Sequence, residues 1–207
     1  MNVKDWWNYA NIAWGNSTIV NNDTDTEVYT EWINNCELVI SFRATEMNIK
    51  DWFYNMFFFH KDIPYDDKDD IECHRGFLLK YMSAKDDIHE LVSSAAKVYI
   101  TGISQGAAIG LLCAMDIHET FNIIPEVKVF CAPKVFNYLG AEYFSFILPE
   151  ASIMLSRNDI VPKVPPFFLD FYQPKKNIKY IDEFRWSSLI NPFQFHHPSY
   201  YEKMLFP

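Results

Sequence analysis

One motif constrains the fold of this chain more than any other feature. An apolar stretch at residues 97–101 runs directly into the pattern Gly-x-Ser-x-Gly at residues 102–106 and then into small residues typical of a buried helix. A strand can enter a helix through so tight a turn only where glycines leave the space that a Cβ would take. The turn is expected to hold Ser104 in a strained, exposed position and to direct the Gln105 N–H at a developing oxyanion. The motif therefore predicts a serine nucleophile; a glycine-rich turn capped by Ser104 is the alternative that these five residues alone leave open.

Apolar periodicity on both sides of this motif predicts alternating strands and helices. A polar loop is predicted between the first helix and the first strand. The predicted helices are 1–14, 47–55, 75–95, the motif to about 119, 139–148 and 198–205, and the predicted strands are 37–42, 97–101, 127–131, 152–156 and 178–182. This alternation predicts a mostly parallel central sheet with helices on both faces, and active residues at the carboxyl ends of strands. With the strand–turn–serine–helix motif, it predicts an α/β fold of the α/β-hydrolase type.

Length and charge limit the classes of function. A chain of 207 residues fits a single α/β-hydrolase domain, residues 1–207, that buries its own core. Its net charge of −9, from 18 basic and 27 acidic residues, argues against nucleic-acid binding and against attraction to anionic membranes. The acidic run at residues 66–70 is interpreted as a solvated loop. We expect no metal and no cofactor.

The cysteines and the hydropathy of the chain predict its cellular compartment. Cys36, Cys73, Cys113 and Cys131 form no C-x-x-C pair, which favours free thiols in a reduced compartment. Neither a signal peptide nor an integral membrane segment is expected, because no basic-then-apolar leader and no run of about 18 apolar residues occurs. We expect a cytoplasmic protein, with secretion by another route not excluded; the oligomeric state is left open.

A serine nucleophile needs an imidazole to take its proton and a carboxylate to orient that imidazole. In this fold the order along the chain is serine, acid, histidine. Asp159 follows a predicted strand and is the preferred acid. Of the histidines, His196 and His197 alone follow it, and the spacing leaves the choice between them open. The competing acids, which are mid-helix or lack a strand-end position, are Asp116, Asp170, Asp182 and Glu183.

Further short motifs accompany the Ser104 motif in a fixed order. They are Phe42-Arg43-Ala44-Thr45, Asp51-Trp52 with Asn55, His74-Arg75-Gly76-Phe77, Phe130-Cys131-Ala132-Pro133-Lys134-Val135-Phe136-Asn137 and the segment 158–166 around Asp159. Together they resemble the motifs of the class 3 (fungal-type) lipase family, over about residues 37–201.

The resemblance implies roles that composition does not show. Thr45 matches the family's oxyanion-hole residue, which would act beside Gln105, and residues 47–55 match its lid. A tyrosine five residues after the histidine is common in the family, which favours His196, with Tyr201, over His197. The chain also departs from the family pattern, in which a polar residue precedes the serine and glycines are more frequent. The departures are Ile103, Ala107, Ala44, Cys131 and Phe136.

These observations predict a serine carboxylester hydrolase that passes through an acyl-enzyme on Ser104. The expected substrates are small-molecule or lipid-like esters, because aromatic residues cluster where an acyl chain could bind. Trp52, Phe53 and Phe167 are the candidate substrate-binding residues. Two alternatives remain: a weakened relative that binds a lipid or a partner without turnover, and a phospholipase or thioesterase on the same fold.

Overall fold

A seven-stranded sheet forms the centre of the computed structural model, which describes residues 1–13, 15–44, 60–64, 70–189 and 191–207. The strands are β1 Ile19–Asn21, β2 Thr26–Asn34, β3 Glu37–Phe42, β4 His60–Asp62, β5 Glu72–His74, β6 Lys97–Ile103, β7 Glu126–Phe130, β8 Ser152–Leu155 and β9 Ile178–Tyr180. The helices are α1 Val3–Ile12, α2 Arg75–Met82, α3 Lys85–Val92, α4 Gln105–Phe121, α5 Tyr138–Ile147 and α6 Pro198–Leu205. The predicted helix at 47–55 lies outside the described residues.

Five strands of the sheet are parallel, as the alternation predicts. The sheet order is β1-β2-β3-β6-β7-β8-β9, with parallel pairing from β3 to β9, while β4 and β5 form a separate antiparallel pair. A parallel sheet is covered on both faces, so its strands read as continuous apolar runs. The α/β-hydrolase architecture is therefore confirmed.

Side chains alternate between two apolar cores on opposite faces of the sheet. In β3, Leu38 and Ile40 belong to the larger core, which also holds α2 to α5, whereas Val39 faces the smaller one. The smaller core contains residues of α1 and α6, with Trp7 packed edge-on against Phe130 at a centroid distance of 4.9 Å. Helices thus cover both faces of the sheet, which confirms the sequence prediction.

The prediction of a loop before β3 is wrong, because residues 19–21 and 26–34 form the strands β1 and β2. These strands extend the sheet by antiparallel pairing, with Val28 opposite Phe42. β2 alternates between buried and less buried residues at its beginning and is exposed at its end. The residues of this edge hairpin that face outward are polar, so its composition resembles that of a loop.

The predicted helix at 75–95 is divided into α2 and α3. The break lies at Ser83 and Ala84, where the Ala84 N–H donates to Tyr81 O at 3.0 Å instead of continuing the helical ladder. The Ser83 hydroxyl donates to Lys80 O at 2.8 Å and lies 2.6 Å from Thr24 Oγ1 of the β1–β2 turn. A serine side chain that competes for backbone carbonyls ends a helix that periodicity alone predicts as continuous.

Each end of the described chain forms the predicted helix. α1 begins at Val3 and is capped by the side chain of Asn2 together with Asp5, and α6 begins at Pro198. Within the described ranges, none of these helices is both long and apolar enough to cross a bilayer. The four cysteines are free thiols, as expected.

Candidate active site

The turn between β6 and α4 has the tight geometry that the glycine motif predicts. Ser104 has φ 55° and ψ −118°, a conformation that costs a non-glycine residue about 1–3 kcal/mol. A Cβ on Gly102 would lie 2.6 Å from the Gly106 carbonyl oxygen, and one on Gly106 would lie 2.1 Å from the Phe42 carbonyl oxygen. The Ser104 N–H donates to Phe130 O at 3.0 Å, which joins the turn to β7. Glycine at both positions therefore lets the turn pack against the neighbouring backbone.

The Ser104 side chain is buried, so the expectation that it would be exposed is wrong. It is 5% exposed because the imidazole of His196, 4% exposed, lies against it. His196 Nε2 is 2.8 Å from Ser104 Oγ, and His196 Nδ1 is 2.7 Å from Asp159 Oδ2. A carboxylate can only accept, so Nδ1 carries the proton and Nε2 accepts from the serine hydroxyl. The structure thus brings Ser104, His196 and Asp159 into one chain of hydrogen bonds.

The two adjacent histidines have different environments. His196 ends the 3₁₀ turn Pro192–His196 and is buried. His197 is exposed and caps α6, because its Nδ1 accepts from the Ser199 N–H at 3.2 Å. The geometry selects His196 as the histidine that meets Ser104.

Asp159 is fully buried and bonded through both carboxylate oxygens. Oδ1 accepts from the Val161 N–H at 2.9 Å, and Oδ2 accepts from the Tyr201 hydroxyl at 2.9 Å in addition to His196. Burial, together with the nearby Asp159 carboxylate, raises the pKa of Tyr201 well above its usual value. Tyr201 therefore stays protonated and remains a donor.

A second carboxylate, Asp182, supports the loop that carries Asp159. Asp182 accepts hydrogen bonds from the Ser156 hydroxyl at 2.5 Å, the Arg157 N–H at 2.8 Å and the Asn158 amide at 3.0 Å. Burial opposes ionisation of Asp182, but the hydrogen bonds outweigh it and lower its pKa. In the sequence Asp182 was a competing acid; in the structure it fixes the residues that precede Asp159.

The comparison with known families adds a decisive observation. The family model described as lipase (class 3) matches residues 39–169, well over half of the chain. The chain belongs to the class 3 lipase family. The matched residues include Ser104 and Asp159, whereas His196 lies beyond them.

Individual relatives of this chain are distant. A lipase of Rhizomucor miehei is 24% identical over 166 residues, which is 75% of this chain and 42% of that protein. This chain thus spans less than half of the length of that curated relative. The solved lipase of Rhizopus microsporus var. chinensis shares the fold with a TM-score of 0.72 at 21% identity, covering 88% of this chain and 75% of the other. A triacylglycerol lipase with a serine protease triad as its catalytic centre has a TM-score of 0.65 at 23% identity, covering 81% of this chain and 64% of the other.

The other candidate acids lie away from the Ser104–His196 pair. Asp116 is buried in α4, where it pairs with Lys85 at 2.9 Å and accepts from Tyr81 and His89. Asp170 and Glu183 are exposed. Asp159 is the carboxylate that bonds to His196.

The predicted oxyanion and substrate-binding residues have different outcomes. Gln105 is the first residue of α4, so its N–H has no acceptor within the helix. Thr45, Trp52 and Phe53, with the lid predicted at 47–55, lie outside the described residues. Phe167 is 69% exposed and lines a groove beside β9 that does not include Ser104 among its lining residues.

Two groups of described side chains bring possible metal ligands within 4.8 Å of one another. In the first group, Asp159 and His196 are engaged in the hydrogen bonds above, and burial raises the pKa of the Cys131 thiol well above its usual value. A neutral thiol is a poor ligand. The second group consists of His60 in β4, Glu72 in β5 and Asp170, which follows the 3₁₀ turn Phe167–Leu169. The expectation that the protein needs neither metal nor cofactor stays a prediction.

Proposed function

We propose that this member of the class 3 lipase family is a serine carboxylester hydrolase. The observation that carries the proposal is the chain of hydrogen bonds from Ser104 through His196 to Asp159, with distances of 2.8 and 2.7 Å. These distances lie within the range that a general base needs to take a proton from its nucleophile. The strained Ser104 backbone at the end of β6 is further support, because such strain is concentrated at active sites.

In the proposed reaction His196 Nε2 takes the proton of Ser104 as Oγ attacks the ester carbonyl carbon. The resulting oxyanion accepts a hydrogen bond from the Gln105 N–H, and Thr45 is the proposed second donor. The tetrahedral species expels the alcohol, to which protonated His196 returns the proton. Water, deprotonated by the same imidazole, then attacks the acyl-enzyme; the carboxylic acid leaves, and His196 returns the proton to Ser104 Oγ. Asp159 holds the tautomer and stabilises the imidazolium.

The proposed substrates are lipid-like carboxylic esters. Two kinds of support favour them: the family of this chain, and the likeness to a lipase of Rhizomucor miehei. A catalytically weakened binding module is less well supported, because replacing the family's polar residue with Ile103 leaves the hydrogen bonds of Ser104 intact.

Hydrolysis of nitrophenyl esters over a range of acyl lengths tests the proposal. We expect turnover that rises with chain length, and a loss of roughly 10³-fold or more in Ser104→Ala. A thioester and a phospholipid of matched acyl length, assayed in parallel, separate the esterase from the two alternatives on the same fold. Folded wild-type protein without ester hydrolysis, or full activity in Ser104→Ala, would contradict the proposal.

A further inference from the structure

A groove of about 950 Å³ lies beside the last strands of the sheet, separate from the Ser104 hydroxyl. Its walls come from the end of β8, the 3₁₀ turns Val161–Lys163 and Phe167–Leu169, and the region around β9. Its described lining includes four aromatic residues, and the three that are substantially exposed form its aromatic rim: Phe167, Tyr180 and Phe184. The size matches pockets that bind small organic ligands.

The charge of the groove is opposite to that of the whole chain. Among the lining residues that the structure describes, four are cations, Lys134, Arg157, Lys163 and Lys175, and none is acidic. The chain carries 27 acidic against 18 basic residues, so such a cluster is contrary to its composition. Within the described ranges, none of these four cations has a carboxylate oxygen within 4.0 Å. The part of the chain that the structure describes therefore supplies no ion-pair partner to these groove cations.

One of the cations is held in place, and a second is partly buried. The Arg157 guanidinium lies over the Tyr180 ring, 3.9 Å from its centroid, so its orientation is fixed while its N–H edges remain available for an anion. Lys134 is partly buried, and burial lowers the pKa of its ammonium, which an anionic ligand would offset.

We propose that this groove binds an amphipathic anion, with its carboxylate or phosphate head among the four cations and its acyl chain against the aromatic rim. The inference goes beyond the proposed ester hydrolysis and does not depend on it. Arg157 and Lys163 flank Asp159 in the chain, so a bound ligand contacts both sides of the loop that holds the carboxylate. Two sources share this chemistry: a free fatty acid, which is the product class of the proposed reaction, and a phosphate-headed lysolipid.

Calorimetric titration of the full chain carrying Ser104→Ala measures binding without turnover. The probes share a twelve-carbon chain: dodecanoate, lauroyl lysophosphatidate, dodecyl glucoside and dodecyltrimethylammonium. We expect at least one anion to bind saturably and at least about tenfold more tightly than the neutral and cationic probes. Tighter binding of dodecanoate identifies the fatty acid as the source, and tighter binding of lysophosphatidate identifies the phosphate head.

Charge-matched variants locate the binding. Lys163→Gln/Lys175→Gln removes two exposed groove cations and should weaken anion binding about tenfold. Lys176→Gln/Lys203→Gln removes the same charge at exposed positions outside the groove lining and should leave binding unchanged. Circular dichroism checks that each variant is folded. The proposal is overturned if neither anion binds, if the neutral or cationic probe binds equally well, or if the two double variants have the same effect.

Discussion

Tyr201 donates its hydroxyl to Asp159 Oδ2 at 2.9 Å, the same oxygen that lies 2.7 Å from His196 Nδ1. The hydroxyl also accepts from the Ser156 N–H at 3.0 Å. One carboxylate oxygen thus joins two side chains that are five residues apart, on the turn before α6 and on α6 itself. The C-terminal helix and the loop after β8 are held in a fixed relation by this contact.

Removing the Tyr201 hydroxyl should show whether it positions Asp159 for catalysis. Tyr201→Phe deprives Asp159 of a donor and the Ser156 N–H of its acceptor, so we expect a loss of about 1–3 kcal/mol in the free energy of unfolding. We also expect kcat for ester hydrolysis to fall about tenfold with little change in KM. Tyr138→Phe, at an exposed tyrosine, is the control. Unchanged kcat in folded Tyr201→Phe would show that the contact does not position Asp159.

Two buried aspartates should respond in opposite ways. Asp159→Asn should lower kcat by roughly 10³- to 10⁴-fold, because an amide favours the wrong tautomer of His196. Asp116→Asn should instead cost about 3 kcal/mol of stability while the folded protein keeps its activity, because Lys85 loses a buried partner. Urea unfolding and ester hydrolysis measure both effects. Loss of activity in folded Asp116→Asn, or its retention in Asp159→Asn, would contradict the assignment of the acid.

The two glycines of α4 should differ sharply in tolerance. An alanine Cβ at position 106 would lie 2.1 Å from the Phe42 carbonyl oxygen, which is rigid backbone, so we expect Gly106→Ala to cost more than about 3 kcal/mol. At Gly110 the nearest atom is Ile100 Cγ2 at 3.3 Å, and alanine also favours the helix by about 1 kcal/mol, so we expect a small change. Chemical denaturation of the two variants makes the comparison. Equal stabilities would contradict the close packing of the turn.

Acid stability should depend on His74, which caps α2 through Nδ1. Burial, with a smaller contribution from His60, lowers the pKa of His74 to about 4. The unfolded chain takes up this proton near pH 6.5 and the folded protein only near pH 4, so stability is full above pH 6.5 and falls as the pH is lowered towards 4. His74→Asn keeps a capping acceptor but has no imidazole to protonate. Between pH 7 and 4.5 the free energy of unfolding of this variant should therefore fall by about 2–3 kcal/mol less than that of the wild type. Parallel pH dependences of unfolding for the two proteins would contradict this.

The sequence predicts the parallel part of the sheet well because strong local patterns specify it. β6, the Ser104 turn and α4 follow from glycine positions, and β3, β7, β8 and α6 follow from apolar runs bounded by turn or proline signals. The β1–β2 hairpin was missed because its stability comes from pairing with β3, which leaves its outer residues polar. The break between α2 and α3 was missed because it depends on contacts of Ser83 with a segment far away in the chain.

The same limit applies to the site. Chain order gives serine, acid and histidine, but it does not distinguish His196 from His197, because adjacent residues differ only in the direction that the backbone gives them. The role of Asp182 could not be inferred, since it arises where the end of β8 approaches the segment after β9. Burial of Ser104 could not be inferred either, because it depends on the position of His196.

Covalent labelling with a fluorophosphonate tests the central claim most directly. The probe reacts with an activated serine, and peptide mass spectrometry of the adduct identifies the residue. We expect labelling of wild-type protein at Ser104, unchanged labelling in His197→Ala, and labelling slowed by roughly 10³-fold or more in His196→Ala. Folded wild-type protein that stays unlabelled at Ser104, or equal labelling rates in the two histidine variants, would contradict the account.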